Sequence, residues 1–282
     1  MLGYGDAVIT VAVLGAAGRM GVTVCQAIES AEDLELVAAV DPGRAGARLG
    51  EVVLGLGPRS ASIVVASEVA ALSDPLPDVA VDFTVASSAR DNLAWCAEHG
   101  VHAVCGTTGL GVDDLARFDE AFGPGKVANA VVAANFSVGA ALMMRCAELC
   151  APWFPAVEIV ELHHERKKDA PSGTSLTTAE RVERAREAHG SGPLMLDPTE
   201  KQVLPGTRGG ATAAGVHIHS VRLPGLVAHQ EVLLGSAGET LTLRHDSTDR
   251  VSFMAGTLLA VRKVGELDGL TLGVEPLLGL DA

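Results

Sequence analysis

Residues 8–21 read VITVAVLGAAGRMG, an apolar run that passes directly into a glycine-rich turn. The run ends at Leu14 and is typical of a buried strand, because its β-branched residues follow one another without polar alternation. Gly15, Gly18 and Gly21 then form a G-x-x-G-x-x-G pattern that opens a helix. A turn of this kind brings backbone N–H groups at a helix start close to a pyrophosphate. The stretch therefore predicts the first strand, turn and helix of a dinucleotide-binding domain.

Apolar runs continue to alternate with helical stretches as far as Asn135. Further strands are predicted over residues 34–41, 62–67, 79–84, 101–108 and 127–135, and helices up to about Ser30 and over 87–99 and 113–122. Apolar strands separated by helices form a parallel sheet that is covered on both faces. Asp41 ends the second strand twenty residues beyond Gly21, where a carboxylate would accept a hydrogen bond from a ribose hydroxyl. The predicted fold class is α/β, with an N-terminal Rossmann-like parallel sheet. The alternative for the turn itself is a strand-to-helix connection that binds no ligand.

Two later loops follow predicted strands at their carboxyl ends. They contain Gly106, Thr107 and Thr108 after one strand, and Ala133, Ala134, Asn135 and Phe136 after the next. In an open α/β sheet, ligands bind at the carboxyl ends of the strands. We therefore expect both loops to face the nicotinamide end of a cofactor, although each loop alone has the composition of a turn or a helix cap.

A second unit begins after Ser137. The pattern predicts a helix to about Cys150, a strand over 157–164, a helix over 173–189, a Gly/Pro-rich connection over 190–215 and strands over 216–223, 227–236 and 240–247. Strands that follow one another without helices indicate a mixed or antiparallel sheet, so this domain is predicted to be α+β with a mixed sheet. The expected division is a dinucleotide-binding domain over 1–135, completed by the C-terminal helix within about 249–282, and a substrate-binding and oligomerisation domain over 136–248.

Composition narrows the range of partners. The 282 residues include 21 Lys and Arg and 35 Asp and Glu, which gives a net charge of −14. No run of Lys and Arg follows a group of aromatic residues on which nucleic-acid bases could stack. No nucleic-acid partner is therefore expected. The five cysteines form no CxxC pair, which favours a reduced, cytoplasmic compartment. The N-terminal apolar run lacks a basic flank and is too short to span a bilayer, so no membrane partner is expected.

The stretch ELHHERKKDAPSGT contains the densest set of chemical groups in the chain. His164, Lys167 and the amides of Gly173 and Thr174 at a helix start could together hold the carboxylates of a small anionic substrate. His163 or Lys167 could then pass a proton to an atom made electron-rich by the arrival of a hydride. The stretch is therefore the candidate catalytic segment.

Each part of this stretch also has an ordinary structural explanation. A histidine pair is often structural or part of a metal site, and a lysine pair is usually a solvated surface. A metal is disfavoured because no third ligand lies nearby, although His217, His219 and His229 could come close in the fold. The concentration of cations in one loop of an acidic chain favours an anion site, and no metal is expected.

Several motifs together resemble dihydrodipicolinate reductase in its actinobacterial form. They are GAAGRMG, DFT, GTTG, AANFSVG, ELHHERKKDAPSGT and RLPGLVAHQEVLLGSAGETLTLRHDSTDR, and the likeness spans about residues 8–275. The resemblance implies reduction of 4-hydroxy-tetrahydrodipicolinate to tetrahydrodipicolinate with NADH or NADPH, in lysine and diaminopimelate biosynthesis. It also implies a small dicarboxylate substrate and a homotetramer assembled through the sheet of the second domain.

The resemblance assigns roles to individual residues. His163 becomes a proton donor or acceptor and Lys167 a proton donor, while His164, Gly173 and Thr174 become substrate contacts. The implied cofactor contacts are Gly15, Ala16, Ala17, Gly18, Arg19, Met20, Asp41, Gly106, Thr107, Thr108, Ala133, Ala134, Asn135 and Phe136.

Some positions depart from the family pattern, and two other functions remain open. Ala134 stands where the family often has proline, and Pro42 follows Asp41 where some members place an arginine for the 2′-phosphate, so no strong preference for NADPH is expected. The first alternative is another two-domain nicotinamide oxidoreductase, such as a sugar or homoserine-type dehydrogenase, which would not need the DAPSGT motif. The second is a dinucleotide sensor without catalytic activity, and the presence of His163 and Lys167 argues against it.

Overall fold

The computed structural model describes residues 8–72 and 75–280. The chain separates into two compact units: unit 1 comprises the described residues up to Val138 and from Phe253 onward, and unit 2 comprises Gly139–Ser252. The outermost limits of the predicted domains, at the two chain ends, lie outside the described residues. None of the described helices is both long and apolar enough to cross a membrane.

Unit 1 contains a parallel sheet with helices between its strands. Numbered along the whole chain, its elements are β1 (Ile9–Leu14), α1 (Arg19–Glu29), β2 (Leu34–Val40), α2 (Leu49–Val52), α3 (Pro58–Ala61), β3 (Val79–Asp82), α4 (Ala86–His99), β4 (His102–Cys105), α5 (Val112–Ala121), β5 (Ala130–Val132), α8 (Met254–Lys263) and β11 (Leu270–Leu272). The strand order is β11-β5-β4-β3-β1-β2, and every pairing is parallel. The predicted α/β class with a Rossmann-like sheet is confirmed.

The central strands of this sheet are buried because helices cover both of their faces. All four residues of β3 are buried, and Leu93 of α4 and Phe122 after α5 are fully buried in the same core. Burying one such large apolar side chain contributes about 1.5–3 kcal/mol relative to leaving it exposed. The register places Leu14, Asp82 and Cys105 beside one another. The loops after β1, β3 and β4 therefore leave the sheet at one edge.

The sequence predictions for unit 1 are wrong in two places. Residues 62–67 do not form a strand, and make only isolated bridges from Val64 to Arg48 and from Ala66 to Val40. Val64 is 62% exposed whereas Val65 is 1% exposed, so the segment places one side chain in the core beside the end of β2 but makes no continuous ladder with a neighbouring strand. The other difference is β11, an unpredicted strand that pairs with β5. It has only three residues, too few for a periodic pattern to be recognised.

Unit 2 contains a mixed sheet and two long helices. Its elements are α6 (Val138–Cys150), β6 (Ala156–His163), α7 (Gly173–His189), β7 (Gly210–Ala211), β8 (His217–Arg222), β9 (Ala228–Ser236) and β10 (Glu239–Ser247). The strand order is β10-β9-β6-β8-β7, with β6 and β8 parallel and the other pairs antiparallel. The prediction of a mixed sheet is confirmed, and β7 lies within the stretch predicted as a connection.

Side chains of β6 alternate between the two faces of this sheet. Val157, Ile159 and Glu161 are buried on the face that packs against α6 and α7. Glu158 and Val160 point to the opposite face and are half-buried. The alternation therefore places one carboxylate, that of Glu161, at a position that is otherwise part of the apolar core.

Candidate active site

The glycine-rich turn after β1 has the geometry that its sequence predicts. Gly15 adopts a φ of +79°, and the N–H groups of Gly15 and Ala16 donate to the Val40 carbonyl at 2.8 and 3.1 Å. Gly21 must be glycine, because a Cβ there would lie 2.1 Å from the Gly15 carbonyl oxygen. No side chain caps the amino end of α1, whose N-cap residue is Gly18. The helix start is open to an anion, which fits the pyrophosphate of a dinucleotide.

Asp41 joins this turn to the segment that follows β2. One carboxylate oxygen accepts from the Ala17 N–H at 3.0 Å, and the other accepts from the Gly43 N–H at 3.0 Å. Each oxygen retains a second acceptor position, so both can still accept from the hydroxyl groups of a ribose. The predicted cofactor residues at the turn and at the end of β2 therefore lie together in unit 1.

Asp82, at the end of β3, is a buried carboxylate that fixes two loops through neutral donors. Its Oδ1 accepts from the Thr84 N–H at 3.0 Å, from Thr84 Oγ1 at 2.8 Å and from Thr107 Oγ1 at 2.7 Å. Its Oδ2 accepts from the Asn92 side-chain amide at 2.7 Å. Sequence reasoning gave Asp82 no role of its own. The signal that marks it is an acidic residue at the end of an apolar strand, where a buried polar group needs partners.

The two predicted cofactor loops meet around Phe83. A Cβ at Gly106 would lie 2.0 Å from the Phe83 ring, so only glycine permits this approach. The rings of Phe83 and Phe136 lie 6.0 Å apart between centroids. Asn135 accepts the Ser137 N–H on its side chain at 2.8 Å and turns the chain into α6. The Phe136 side chain is buried, so it supports the loop from within the core of unit 1.

In unit 2, the Glu161 carboxylate links an arginine to the first histidine of the candidate catalytic segment. The Glu161 side chain is 0% exposed, and its two oxygens accept from the two terminal nitrogens of Arg222 at 2.8 Å each. The same carboxylate accepts a hydrogen bond from Nδ1 of His163. Arg222 also donates to the Asp169 carbonyl at 2.6 Å. The parallel register, which pairs His163 with Arg222, brings these groups together.

Burial and neighbouring charges both shift the pKa values of these groups. Burial would raise the pKa of Glu161, but hydrogen bonds from Arg222, Ser220 and His163 outweigh it and hold that pKa below its usual value. Burial lowers the pKa of His163 below 6.5; the cations of Lys167 and Arg222 act in the same direction, and Glu161 offsets part of the change. His163 is therefore mainly neutral near pH 7, with Nδ1–H directed at Glu161 and Nε2 as its acceptor nitrogen.

His164, the next residue, has the opposite tautomer when neutral. Its Nδ1 accepts the Arg166 N–H at 3.1 Å, which places the ring proton on Nε2. The Lys167 N–H donates to the His164 carbonyl at 3.1 Å and closes the turn. Lys167 Nζ lies 2.9 Å from Asp169 Oδ2, and the lysine side chain is 21% exposed. One turn therefore presents an imidazole donor and a positive charge, which are groups that bind carboxylates.

A buried polar network fixes the start of α7 to the sheet. Ser172 caps the helix by accepting the Ser175 N–H on its side chain. Ser175 Oγ donates to Gln230 Oε1 at 2.9 Å, and Gln230 Nε2 donates to Thr178 Oγ1 at 2.8 Å. The first turn of α7, which contains both predicted amide donors, lies at the positive end of the helix dipole.

Sequence reasoning missed two polar residues on the covered face of the sheet. Glu161 follows Val157 and Ile159 on the core side of β6, and Gln230 precedes Val232 on the core side of β9. Both are polar residues in a series of core-facing positions that are otherwise apolar. A polar side chain at such a position is stable only with hydrogen-bond partners, and this is the signal that could have identified them.

The histidines considered as further metal ligands pair with protein groups instead. The ring nitrogens of His219 and His229 lie 2.7 Å from carboxylate oxygens of Glu158 and Asp246, respectively. Within the described part of the chain, no group of three or more His, Cys, Asp or Glu side chains is arranged to hold a metal ion.

Family models match both units of the chain. Residues 9–136 match the model of the dihydrodipicolinate reductase N-terminus, and residues 139–278 match the model of its C-terminus. This chain belongs to the dihydrodipicolinate reductase family. The match to the C-terminal model includes His163 at the end of β6 and His164 and Lys167 in the loop between β6 and α7.

Individual members of the dihydrodipicolinate reductase family are similar over nearly the whole chain. A 4-hydroxy-tetrahydrodipicolinate reductase from Cutibacterium acnes is 49% identical over 273 residues, which cover 97% of this chain and 100% of that relative. The solved structure of a dipicolinate-bound dihydrodipicolinate reductase from Paenisporosarcina sp. TG-14 is 36% identical, with a TM-score of 0.78, over 95% of this chain and 99% of that one. A myo-inositol dehydrogenase from Corynebacterium glutamicum shares the fold alone, at 16% identity and a TM-score of 0.56, over 97% of this chain and 94% of that one.

Proposed function

We propose that this chain reduces 4-hydroxy-tetrahydrodipicolinate to tetrahydrodipicolinate, with loss of water and with NADH or NADPH as the hydride source, in lysine and diaminopimelate biosynthesis. Its membership of the dihydrodipicolinate reductase family supports this activity, as does the name of the 49%-identical relative. The observation that carries the proposal is the turn after β6, where His163, His164 and Lys167 place proton-transfer and anion-binding groups beside one another.

Unit 1 is the dinucleotide-binding domain of this proposal. The pyrophosphate binds at the amino end of α1 beside Gly15–Met20, and Asp41 accepts hydrogen bonds from a ribose. The loops Gly106–Thr108 and Ala133–Phe136, which follow β4 and β5, would hold the nicotinamide end. The bound reduced nicotinamide supplies a hydride. The residues of the chain hold and orient the dinucleotide, and Asp82 fixes the first of the two loops through its threonine.

Unit 2 binds the substrate through its carboxylates. His164 donates from Nε2 to one carboxylate, and Lys167 places its positive charge beside that carboxylate. Gly173 and Thr174 provide backbone amide donors at the start of α7, where the helix dipole favours an anion. The Paenisporosarcina family member carries dipicolinate, a dicarboxylate, and this supports a dicarboxylate substrate for the present chain.

The reaction needs one proton besides the hydride. Loss of water from 4-hydroxy-tetrahydrodipicolinate gives an unsaturated cyclic imine. Hydride adds to the conjugated carbon of this imine, electron density moves toward the ring nitrogen, and an acid of the protein protonates the product. Lys167 is positioned as a donor on the substrate-binding turn, and His163 exchanges a proton through Nε2 because its Nδ1 is engaged by Glu161. Substrate, hydride and proton together give tetrahydrodipicolinate and one water.

Assembly as a homotetramer and a cytoplasmic location complete the proposal. The sheet of unit 2 has apolar side chains on the face opposite α6 and α7, and we define this assembly face by Val160, Leu162, Val221 and Leu233. Leu233 is 36% exposed in a single chain, and a neighbouring copy would remove its surface from water. Light scattering coupled to gel filtration tests this assembly, and a particle mass of one chain would contradict it.

The direct test of the activity is a nicotinamide oxidation assay with freshly generated 4-hydroxy-tetrahydrodipicolinate. NADH and NADPH are compared at equal concentrations, and reactions without the substrate give the background rate. Lys167→Ala protein prepared in the same way controls for contaminating reductases of the host. We expect turnover with both dinucleotides. Folded, tetrameric protein that oxidises neither dinucleotide in the presence of this substrate would overturn the proposal.

A further inference from the structure

We propose that Glu161 is a positioning residue for His163, which it holds in one tautomer and one orientation for proton transfer, while Arg222 keeps Glu161 ionised inside the protein. The inference rests on the proposed function, because it takes proton exchange at His163 as part of the reaction. It adds two residues to which the sequence motif assigns no role.

The first support is the burial of Glu161 together with its partners. A lone carboxylate in an apolar core would be protonated, because burial strongly disfavours the charged form. Glu161 is 0% exposed, and both of its oxygens accept from Arg222 at 2.8 Å in a bidentate pair. This pair compensates the negative charge of Glu161. The remaining acceptor capacity of the carboxylate is directed at Nδ1 of His163.

The second support is the contrast between the two adjacent histidines. A carboxylate accepts only, so its contact fixes the proton of His163 on Nδ1 and leaves Nε2 as the exchanging nitrogen. In His164, a backbone N–H donates to Nδ1, and the proton lies on Nε2. The two rings therefore present different nitrogens to a ligand, one suited to proton exchange and one suited to donation toward a carboxylate. The hydrogen-bond partner of each ring determines which of its nitrogens carries the proton.

The third support is the set of charges around His163. Two cations act on the charge of the ring, Arg222 from β8 and Lys167 from the loop after β6, and Asp169 in that loop pairs with Lys167. The β9 residue opposite the histidine is an alanine. Glu161 is the negative charge in direct contact with the ring, and it offsets part of the lowering of the His163 pKa that burial and the two cations cause. Without this charge, the imidazolium is less stable.

The same strand provides a matched control. We call Glu161, Arg222 and His163 the inner cluster, and we call Glu158, Arg208 and His219, on the opposite face of β6, the outer cluster. In the outer cluster a glutamate also pairs with an arginine and a histidine. Glu158→Gln therefore removes the same chemical group from the same strand without touching His163. Because Glu158 lies on the same side of the sheet as the assembly face, the particle mass of this variant is compared with that of the wild type.

The test begins with the histidine itself. Full-length wild-type, Glu161→Gln and Glu158→Gln proteins are labelled with nitrogen-15 histidine, and the His163 signals are assigned by their loss in His163→Gln. We expect the Nδ1–H form of His163 in the wild type and in Glu158→Gln. In Glu161→Gln we expect a larger share of the Nε2–H form and a lower His163 pKa. An unchanged tautomer and pKa in Glu161→Gln would overturn the proposal.

Kinetics then separate positioning from support of the fold. We expect Glu161→Gln to lower kcat by about 10- to 100-fold, part of the usual contribution of acid–base catalysis, with the KM of the substrate changed less than about threefold. Because Glu161→Gln leaves the Arg222 charge buried without its partner, the double variant Glu161→Leu/Arg222→Met serves as a second test, since an apolar pair can replace a buried ion pair. It should fold and show the same loss of kcat. Wild-type kcat in the folded double variant would overturn the proposal.

The experiments distinguish a failure of the proposed function from a failure of the positioning role of Glu161. If wild-type protein does not turn over 4-hydroxy-tetrahydrodipicolinate, the proposed function fails, whatever the histidine spectra show. If the wild type is active but the His163 tautomer, its pKa and kcat do not depend on Glu161, the positioning role fails and the proposed function stands.

Discussion

The inner and outer clusters contain the same three residue types on the same strand, and they differ in burial. In the inner cluster the glutamate is 0% exposed, and the arginine and histidine are 19% and 15% exposed. In the outer cluster the corresponding values are 33%, 29% and 24%. Water screens Coulomb interactions more strongly in the half-buried outer cluster of a single chain than in the inner cluster, where they act on protonation and orientation with less screening. Because the residue types are the same, the difference in burial predicts a functional role for the inner cluster only.

The comparison is tested most strongly by removing the histidine of each cluster. We expect His163→Ala to lower kcat by about 10²- to 10⁴-fold, the usual contribution of a general acid or base, and His219→Ala to leave kcat within about twofold of the wild type. Steady-state kinetics with matched circular dichroism and gel-filtration profiles check this. Equal losses in the two variants would remove the distinction between the clusters.

The same assay applies to the two neighbouring lysines. Lys167→Ala should lower kcat as strongly as His163→Ala, because Lys167 provides a charge and a proton on the substrate-binding turn. Lys168→Ala is the matched control, since this exposed lysine has no assigned role. Full activity in both Lys167→Ala and His163→Ala, with an unchanged fold, would contradict the catalytic assignment.

Removing the carboxylate charge from each cluster tests the effect of burial on stability. Glu161→Gln leaves a largely buried arginine without its counterion, and we expect the free energy of unfolding to fall by about 3–5 kcal/mol. Glu158→Gln should lower it less, because the outer cluster is more exposed in a single chain. Glu158 lies on the same side of the sheet as the assembly face, so gel filtration of this variant checks that its assembly is unchanged. Urea unfolding followed by fluorescence and circular dichroism measures both variants. A loss of similar size in Glu158→Gln would show that the outer cluster supports the fold to the same extent.

Ligand binding compares a cation of the candidate site with the arginine of the outer cluster. 2,6-Pyridinedicarboxylate, a flat dicarboxylate, should compete with the substrate, and Lys167→Met should weaken its binding by about 1.5–3 kcal/mol, the usual range for a hydrogen bond to a charged group. Arg208→Met removes a cation that already pairs with Glu158 and Asp197, so it should leave the affinity unchanged. Calorimetry on the three proteins decides the question. Equal affinity in wild type and Lys167→Met would mean that this turn is not the dicarboxylate site.

Much of the fold could be predicted because its signals are local. The apolar strands of unit 1 alternate with helices, and the strands of unit 2 follow one another, so the parallel and mixed sheets were both predictable. Two features were not local. The segment over 62–67 has strand composition but makes only isolated bridges, and β11 depends on pairing with β5 for its three residues.

The residues of the candidate site also fall into two groups, those that a local motif identifies and those whose role depends on strand pairing. His163, His164 and Lys167 stand together in one motif, so the sequence identifies them directly. The role of Glu161 depends on the pairing of β6 with β8, which brings Arg222 to its carboxylate from 61 positions away. No local pattern contains that register. Only the interruption of an apolar alternation indicated that this glutamate required a partner.

The smallest expected effect is on the pH dependence of stability. The folded-state pKa of His163 lies below 6.5, chiefly because the ring is buried, so the unfolded chain binds a proton more readily. The contribution of His163 to the free energy of unfolding is therefore fully present above about pH 6.5. This contribution is lost as the pH falls through the folded-state pKa of His163. His163→Gln should reduce the decrease in unfolding free energy between about pH 7 and pH 5. Glu158→Gln should leave that decrease unchanged, because the lowered pKa of Glu158 places its titration below about pH 4.5. Urea titrations at each pH measure these slopes. A His163→Gln slope identical to that of the wild type would show that the inner cluster holds its histidine no differently from a solvated one.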